Sequence, residues 1–229
     1  MDRLILWDVD GTLLSTDGIA AAAMRSAIRQ VVGPTAPMER TAYAGKTDWQ
    51  IIREHFPSLG ETGVDTRLHE FRDAYLAGLE AQRAELQARS RVFAGARQVL
   101  EALQGRALMA PLTGNMAAIA RIKLEVVGLA ELLELEVGAY GDDHHARPEL
   151  VPVAVERVLQ RFGRRYSGLD VVIVGDTPYD IGCGKANGAR TVAVATGPYR
   201  IEELGNHDPD AVLPDLTDTA TAVAAIMGG

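Results

Sequence analysis

The sequence predicts an α/β protein built on a doubly wound parallel sheet, with an all-helical unit inserted after the first strand. Three observations carry this expectation. Four short runs, RLILWD (3–8), ALMAPLTG (107–114), DVVIVGD (170–176) and RTVAVATG (190–197), are continuously apolar rather than alternating. That is the pattern of strands covered on both faces. Helical patterns separate the later runs, as in α/β folds. Residues 16 to 90, in contrast, hold three helical stretches and no convincing strand.

Taken in chain order, the first run ends at Asp8 and is followed by Asp10 and Gly11. The stretches DGIAAAAMRSAIRQVV (17–32), TDWQIIREHF (47–56) and DTRLHEFRDAYLAGLEAQRAEL (65–86) then form the helical unit. It is expected to occupy residues 16–89, with connections near 14–17 and 87–92, leaving 1–15 and 90–229 as the α/β core. AGARQVLEAL (94–103) precedes the second strand. NMAAIARIKLEVVG (115–128) follows it, with Gly128 placed to end the helix. LLELEVG (132–138) fits either a strand or a helix end. PELVPVAVERVLQRF (148–162) precedes the third strand, and its Pro148 suits a first helical turn.

Composition narrows the classes of function. A chain of 229 residues can bury a sizeable core. Its net charge of −8, without a Lys/Arg cluster, argues against a nucleic-acid partner. The longest apolar runs, such as GIAAAAM (18–24), fall far short of a membrane span, so no membrane partner is expected. LILW is too brief for a secretory leader, and the expected location is cytoplasmic. The single cysteine, Cys183, excludes an internal disulfide and a multi-cysteine metal site, and is expected to be a buried structural thiol. Arginine outnumbers lysine twenty to three (Lys46, Lys123, Lys185), which bears on Arg147 below. Oligomeric state is left open.

Ligands of a parallel α/β sheet sit beyond the carboxyl ends of its strands. Asp8, Thr113 and Asp176 each fall at such an end. Asp8 and Asp10, two apart on extended chain, point the same way, and Gly11 lets the backbone turn off sharply. GDTPYD (175–180) adds Asp180. Clustered carboxylates repel one another and are costly to bury uncompensated. A divalent cation resolves this, and oxygen ligands without His or Cys favour Mg²⁺.

DVDGTLL, LTGN and VGDTPYDI, in that order on three strand ends, identify the chain as resembling the haloacid dehalogenase superfamily. The layout is most similar to its phosphoglycolate phosphatase and β-phosphoglucomutase branch, which has a Rossmann-like core and a helical cap. The resemblance implies that Asp8 is a nucleophile forming an aspartyl-phosphate, and that Asp10 protonates the leaving oxygen and then deprotonates water. It implies Mg²⁺ at the Asp8 carboxylate, the Asp10 main-chain carbonyl and Asp176, with Asp180 near the metal's waters. Thr113 and the amides of Gly114 and Asn115, at a helix start, would receive phosphate oxygens. The second aspartate separates phosphatases and phosphomutases from the dehalogenating members, which lack it.

One motif departs from the pattern. Arg147-Pro148 stands where the family has lysine, often followed by proline. A guanidinium can hold phosphate and neutralise Asp8, although its planar fork does not occupy the space of an ammonium. Asp142, Asp143, His144 and His145 are expected in a solvated loop. Trp49, Phe56 and Tyr75 are expected in the core. Lys46, in YAGKTDWQII (43–52), either reaches the far end of the substrate or lies on the surface. The expected function is Mg²⁺-dependent hydrolysis of a small phosphate monoester, such as phosphoglycolate or a sugar phosphate. The alternatives are a phosphomutase, a phosphonatase using Lys46 as a Schiff-base former, and a non-catalytic binding protein on the same fold.

Overall fold

The computed structural model describes residues 3–33, 43–56 and 61–229. Residues 1–2 of the expected core unit, and 34–42 and 57–60 of the expected helical unit, lie outside the described residues.

The sheet is parallel and five-stranded. Its strands are β1 (Leu4–Trp7), β4 (Leu108–Pro111), β5 (Val171–Gly175), β6 (Arg190–Val194) and β7 (Ala211–Leu213), in the order β4-β1-β5-β6-β7. The pairs Trp7–Pro111 and Trp7–Val174 fix the register, so β4, β1 and β5 end side by side. Alternation across the pleat explains the continuous apolar runs. Ile5, Trp7, Met109, Val172 and Val174 enter one core, with Val99 and Leu103 of α5 (Ala96–Leu103) and Ile226 of α10 (Thr219–Met227). Leu4, Leu6, Ala110, Val171 and Ile173 enter the other, with Ala154 and Val158 of α7 (Leu150–Phe162). Cys183, on α8 (Pro178–Ala186), is buried in that second core, and burial pushes its thiol up to about 12, in keeping with a structural role.

The remaining helices form a third cluster. Small residues Ala20, Ala23 and Ala27 of α1 (Ile19–Val31) let it pack closely on α3 (Glu61–Ala81), where Ala23 approaches Gly78. Ile51 and Ile52 of α2 (Asp48–His55) and Leu86 of α4 (Arg83–Arg89) complete it. Its apolar face closes on Met116, Ile119 and Ile122, at and within α6 (Ala117–Val126) of the α/β core. A two-stranded antiparallel ribbon, β2 (Leu14–Ser15) with β3 (Arg91–Val92), stands where the chain leaves and re-enters the core. Tyr75 is in this cluster as expected, and Trp49 and Phe56 pack against it.

Some expectations need correction. The single helix expected over 65–86 begins at Glu61 and breaks at Gln82, which takes a non-helical conformation between α3 and α4. Residues 132–138 form short 3₁₀ turns, at Ala130–Leu132 and Leu135–Val137, rather than a strand. Among the described residues no helix is long and apolar enough to cross a membrane.

Candidate active site

The site is built on the adjoining ends of β4, β1 and β5. Asp8 follows the last residue of β1, and its amide donates to the Val174 carbonyl at 2.9 Å. Its buried carboxylate accepts Arg147 Nη2 at Oδ1, 2.8 Å away. Asp176 follows β5, and its Oδ1 accepts the Thr12 hydroxyl at 2.9 Å. Asp180 sits in the first turn of α8. Its Oδ2 accepts the Thr177 amide and hydroxyl, at 3.0 and 2.6 Å, in a capping box. Its Oδ1 takes Arg147 Nη2 at 2.5 Å. Oxygens of Asp8, Asp176 and Asp180 lie within 4.8 Å of one another.

Burial and repulsion dominate this cluster. Desolvation, then the Asp180 charge, raise Asp8 to about 7 against the opposing pull of Arg147. Asp176 is raised well above the ordinary carboxylate range by burial and by the charges of Asp8 and Asp180. Hard oxygen donors, buried and mutually repelling, fit a divalent cation. Asp8 and Asp176 suit direct ligation. Asp180, whose two oxygens already serve Thr177 and Arg147, suits contact through water.

Arg147 is 4% exposed, and it raises the question of how an arginine replaces lysine here. Besides Asp8 and Asp180, its Nη1 reaches the Gly45 carbonyl at 3.3 Å. Its Nε is buried without a partner among the described residues. Burial opposes its charge, but Asp180 and Asp8 hold it firmly protonated.

Asp10 faces a different environment. Its side chain is 41% exposed. One oxygen, Oδ2, accepts both Lys123 Nζ at 2.6 Å and Asn115 Nδ2 at 2.7 Å. Lys123 Nζ also donates to Asn115 Oδ1 at 2.7 Å, closing a triangle. Thr113 is buried, and its hydroxyl oxygen accepts Asn115 Nδ2 at 2.8 Å, leaving its own proton free to donate elsewhere.

The helical layer lies directly on this crevice. The Asp48 amide donates to the Gly114 carbonyl at 2.8 Å, the Trp49 amide to the Gly141 carbonyl at 3.1 Å, and the Thr47 hydroxyl to the His145 carbonyl at 2.7 Å. Gly114 is required by this approach, since a Cβ there would strike the Lys46 carbonyl oxygen. Asn115 does not open the following helix: α6 starts at Ala117, with Met116 as N-cap. The amides at that start are already taken. Met116 N donates to Asp48 Oδ2 at 2.9 Å, and Ala117 N to Asp142 Oδ1 at 3.0 Å.

The structure therefore brings together Asp8, Asp10, Thr113, Gly114, Asn115, Arg147, Asp176 and Asp180. The Lys46 carbonyl lies against Gly114, while its Nζ pairs with Glu54 at 2.6 Å. The 142–145 loop is not simply solvated. Asp142 caps α6, Asp143 holds Arg157 through both oxygens at 2.7 and 2.6 Å, and the rings of His144 and His145 stack 4.5 Å apart beside Trp49. Sequence reasoning passed over Thr12, Asp48 and Lys123. A lysine flanked by Ile122 and Leu124 was the available signal for the last.

Comparisons with known proteins bear on the family and the fold. The pyrophosphatase PpaX of Oceanobacillus iheyensis is 25% identical over 96% of each chain. The phosphoglycolate phosphatase of Pseudomonas syringae pv. syringae is 26% identical over 94% of this chain and 78% of its own length. A crystal structure of a hydrolase from Pseudomonas syringae superposes with a TM-score of 0.71 at 20% identity, covering 98% of both chains, and so shares the fold. The expected phosphatase-type enzyme agrees with these names. The family model described as haloacid dehalogenase-like hydrolase matches residues 3–188, most of the chain, and the protein belongs to that family.

Proposed function

We propose that the protein is a Mg²⁺-dependent phosphatase that hydrolyses a small phosphate monoester through an aspartyl-phosphate on Asp8. The observation that carries this is the contrast between two carboxylates two residues apart. Asp8 is buried among acids and one arginine, whereas Asp10 is partly exposed and held by a lysine and an asparagine. Such separated environments suit a division of labour between nucleophile and proton carrier.

In this account an Asp8 oxygen attacks phosphorus as the bond to the leaving oxygen breaks, and Asp10 gives that oxygen a proton. Asp10 then accepts a proton from the water that attacks the aspartyl-phosphate, releasing inorganic phosphate and restoring Asp8. Thr113 and Arg147 donate to phosphoryl oxygens, the latter supported by an Nε that has no partner among the described residues. Asp8, the Asp10 carbonyl and Asp176 would hold Mg²⁺, with Asp180 beside its waters; the metal supplies charge neutralisation to the transferring group. Gly114 and Asn115 shape the turn that receives the phosphate.

Residues 16–89 are read as a cap and 1–15 with 90–229 as the catalytic core, supported by the ribbon at the connections and by the separate apolar cluster. The relatives' names, pyrophosphatase and phosphoglycolate phosphatase, support a small, highly charged substrate. The Lys46–Glu54 pair gives no support to a Schiff base at Lys46. Phosphate release from a panel of monoesters and pyrophosphate, with Mg²⁺, with chelator and with Asp8→Asn, tests the proposal. Metal-dependent release lost in the variant is expected. Release that survives chelator or the variant contradicts it.

A further inference from the structure

We propose that Lys123 is a positioning residue for proton exchange at Asp10, and that through Tyr75 it makes this exchange depend on the seating of the helical layer. The inference rests on the phosphatase reading above and adds to it a residue outside the family motifs in this sequence.

Lys123 lies on α6 with 3% exposure, between apolar neighbours. Burying an ammonium is costly, and an apolar side chain would fill the position if packing were its only task. Two of its three donors are engaged at short range. One meets Asp10 Oδ2 at 2.6 Å and one meets Asn115 Oδ1 at 2.7 Å. Tyr75, from α3 of the helical layer, is buried in the cluster that closes on Ile119 and Ile122 of the same helix, near enough for its hydroxyl to sense the charge of the lysine. Burial works against the charge, but Asp10, Tyr75 and Asp48 together keep the lysine protonated.

The consequence for Asp10 is directional. Oδ2 is occupied by two donors, and Asn115 cannot rotate away because its own oxygen is held by the same lysine. Oδ1 accepts no hydrogen bond among the described residues. The proton that passes to the leaving oxygen therefore travels on Oδ1, with the carboxyl plane fixed. Tyr75 belongs to the layer that closes the crevice, so displacing that layer removes a buried neighbour of the lysine that sets this plane. A structural role alone would not distinguish between substrates, whereas a role in proton donation does. Esters with poor, alkyl leaving groups need the proton, and p-nitrophenyl phosphate, with a good leaving group, scarcely does.

The test compares Lys123→Met, Lys123→Arg and Tyr75→Phe with wild type and Asp10→Asn, on 2-phosphoglycolate and p-nitrophenyl phosphate, each variant checked for fold by circular dichroism. Lys123→Met is expected to lose alkyl-ester turnover by on the order of 10²-fold or more, the range of general acid catalysis, and aryl-ester turnover by less than about tenfold. Tyr75→Phe and Lys123→Arg are expected to show the same split in smaller measure, and they decide the matter if Lys123→Met does not fold. Equal losses on both esters, with wild type active, overturn the role of Lys123. An unchanged ratio in Tyr75→Phe overturns the link to the helical layer. If the wild type turns over neither ester, the alkyl ester it prefers in the panel above replaces 2-phosphoglycolate, and inactivity across that panel overturns the phosphatase reading itself, and this inference with it.

Discussion

Arg147 Nη2 stands 2.8 Å from Asp8 Oδ1 across 139 positions of sequence, and the same nitrogen holds Asp180 at 2.5 Å. One guanidinium thus ties the end of β1 to the first turn of α8, while its other terminal nitrogen reaches the Gly45 carbonyl of the helical layer. An ammonium, a single point at the end of a flexible stem, cannot span these three acceptors in the same geometry. Arg147→Lys is expected to retain the fold and lose about tenfold or more in kcat/KM, as a misplaced phosphate contact does. Arg147→Met leaves Asp8 and Asp180 without their cation and is expected to destabilise the protein by roughly 3–5 kcal/mol. Denaturant titration beside steady-state kinetics checks both.

Acid titration of the metal-free protein should have a characteristic sign. Asp8 and Asp48 are each raised from 3.8 to about 7, chiefly by burial, and Asp176 is raised with them. A carboxyl raised on folding binds more protons in the native state than in the unfolded chain. Stability from these groups is therefore greatest below the unfolded value and is lost as pH rises toward about 7. In chelator, Asp176→Asn is expected to flatten this loss and to raise the melting temperature near neutral pH. Added Mg²⁺ should restore stability to wild type at neutral pH and do little for the variant.

Gly114 offers a steric test of the seam between the layers. Gly114→Ala places a methyl group against the Lys46 carbonyl and should push the 45–49 segment off the crevice. The five-stranded sheet does not depend on that contact, so far-ultraviolet circular dichroism should be unchanged. Turnover of a small ester is expected to fall on the order of 10²-fold, the cost of a displacement near 1 Å in a catalytic site.

Asp48 tests the tie between α2 and α6. Asp48→Ala orphans the Met116 amide, which the carboxylate now accepts at 2.9 Å. Unfolding free energy should fall by about 1–3 kcal/mol. Asp48→Asn keeps an acceptor oxygen and removes a raised carboxyl, so it should cost less at neutral pH than at about pH 5. Paired melts of the two variants at both pH values check the order.

Asp8, Thr113 and Asp176 were legible because each ends an apolar run, and parallel strands in register bring such ends together. Gly128 was legible as well: it follows α6 with φ of +69°. Lys123 was not, since its partner Asp10 lies 113 positions away and a single lysine on a helix ordinarily faces water. Asp48 reads as a helix-start residue, which it is, while its carboxylate serves a different helix. The start of α6 was placed early, because Asn115 looks like a cap but turns its side chain to Thr113 and Asp10. Residues 132–138 have the apolar density of a strand, yet two 3₁₀ turns take up their backbone groups instead.

The central claim is that Asp8 carries the phosphoryl group. Wild type and Asp10→Asn, mixed with Mg²⁺ and a turned-over ester and quenched in acid within one turnover, can be reduced with borohydride and mapped by mass spectrometry. Homoserine at position 8 is the predicted result, with more of it in Asp10→Asn when the ester is p-nitrophenyl phosphate, whose first step scarcely needs the proton from Asp10 while the second step is slowed. Phosphate released over many turnovers with Asp8 unmodified in both proteins would contradict the account.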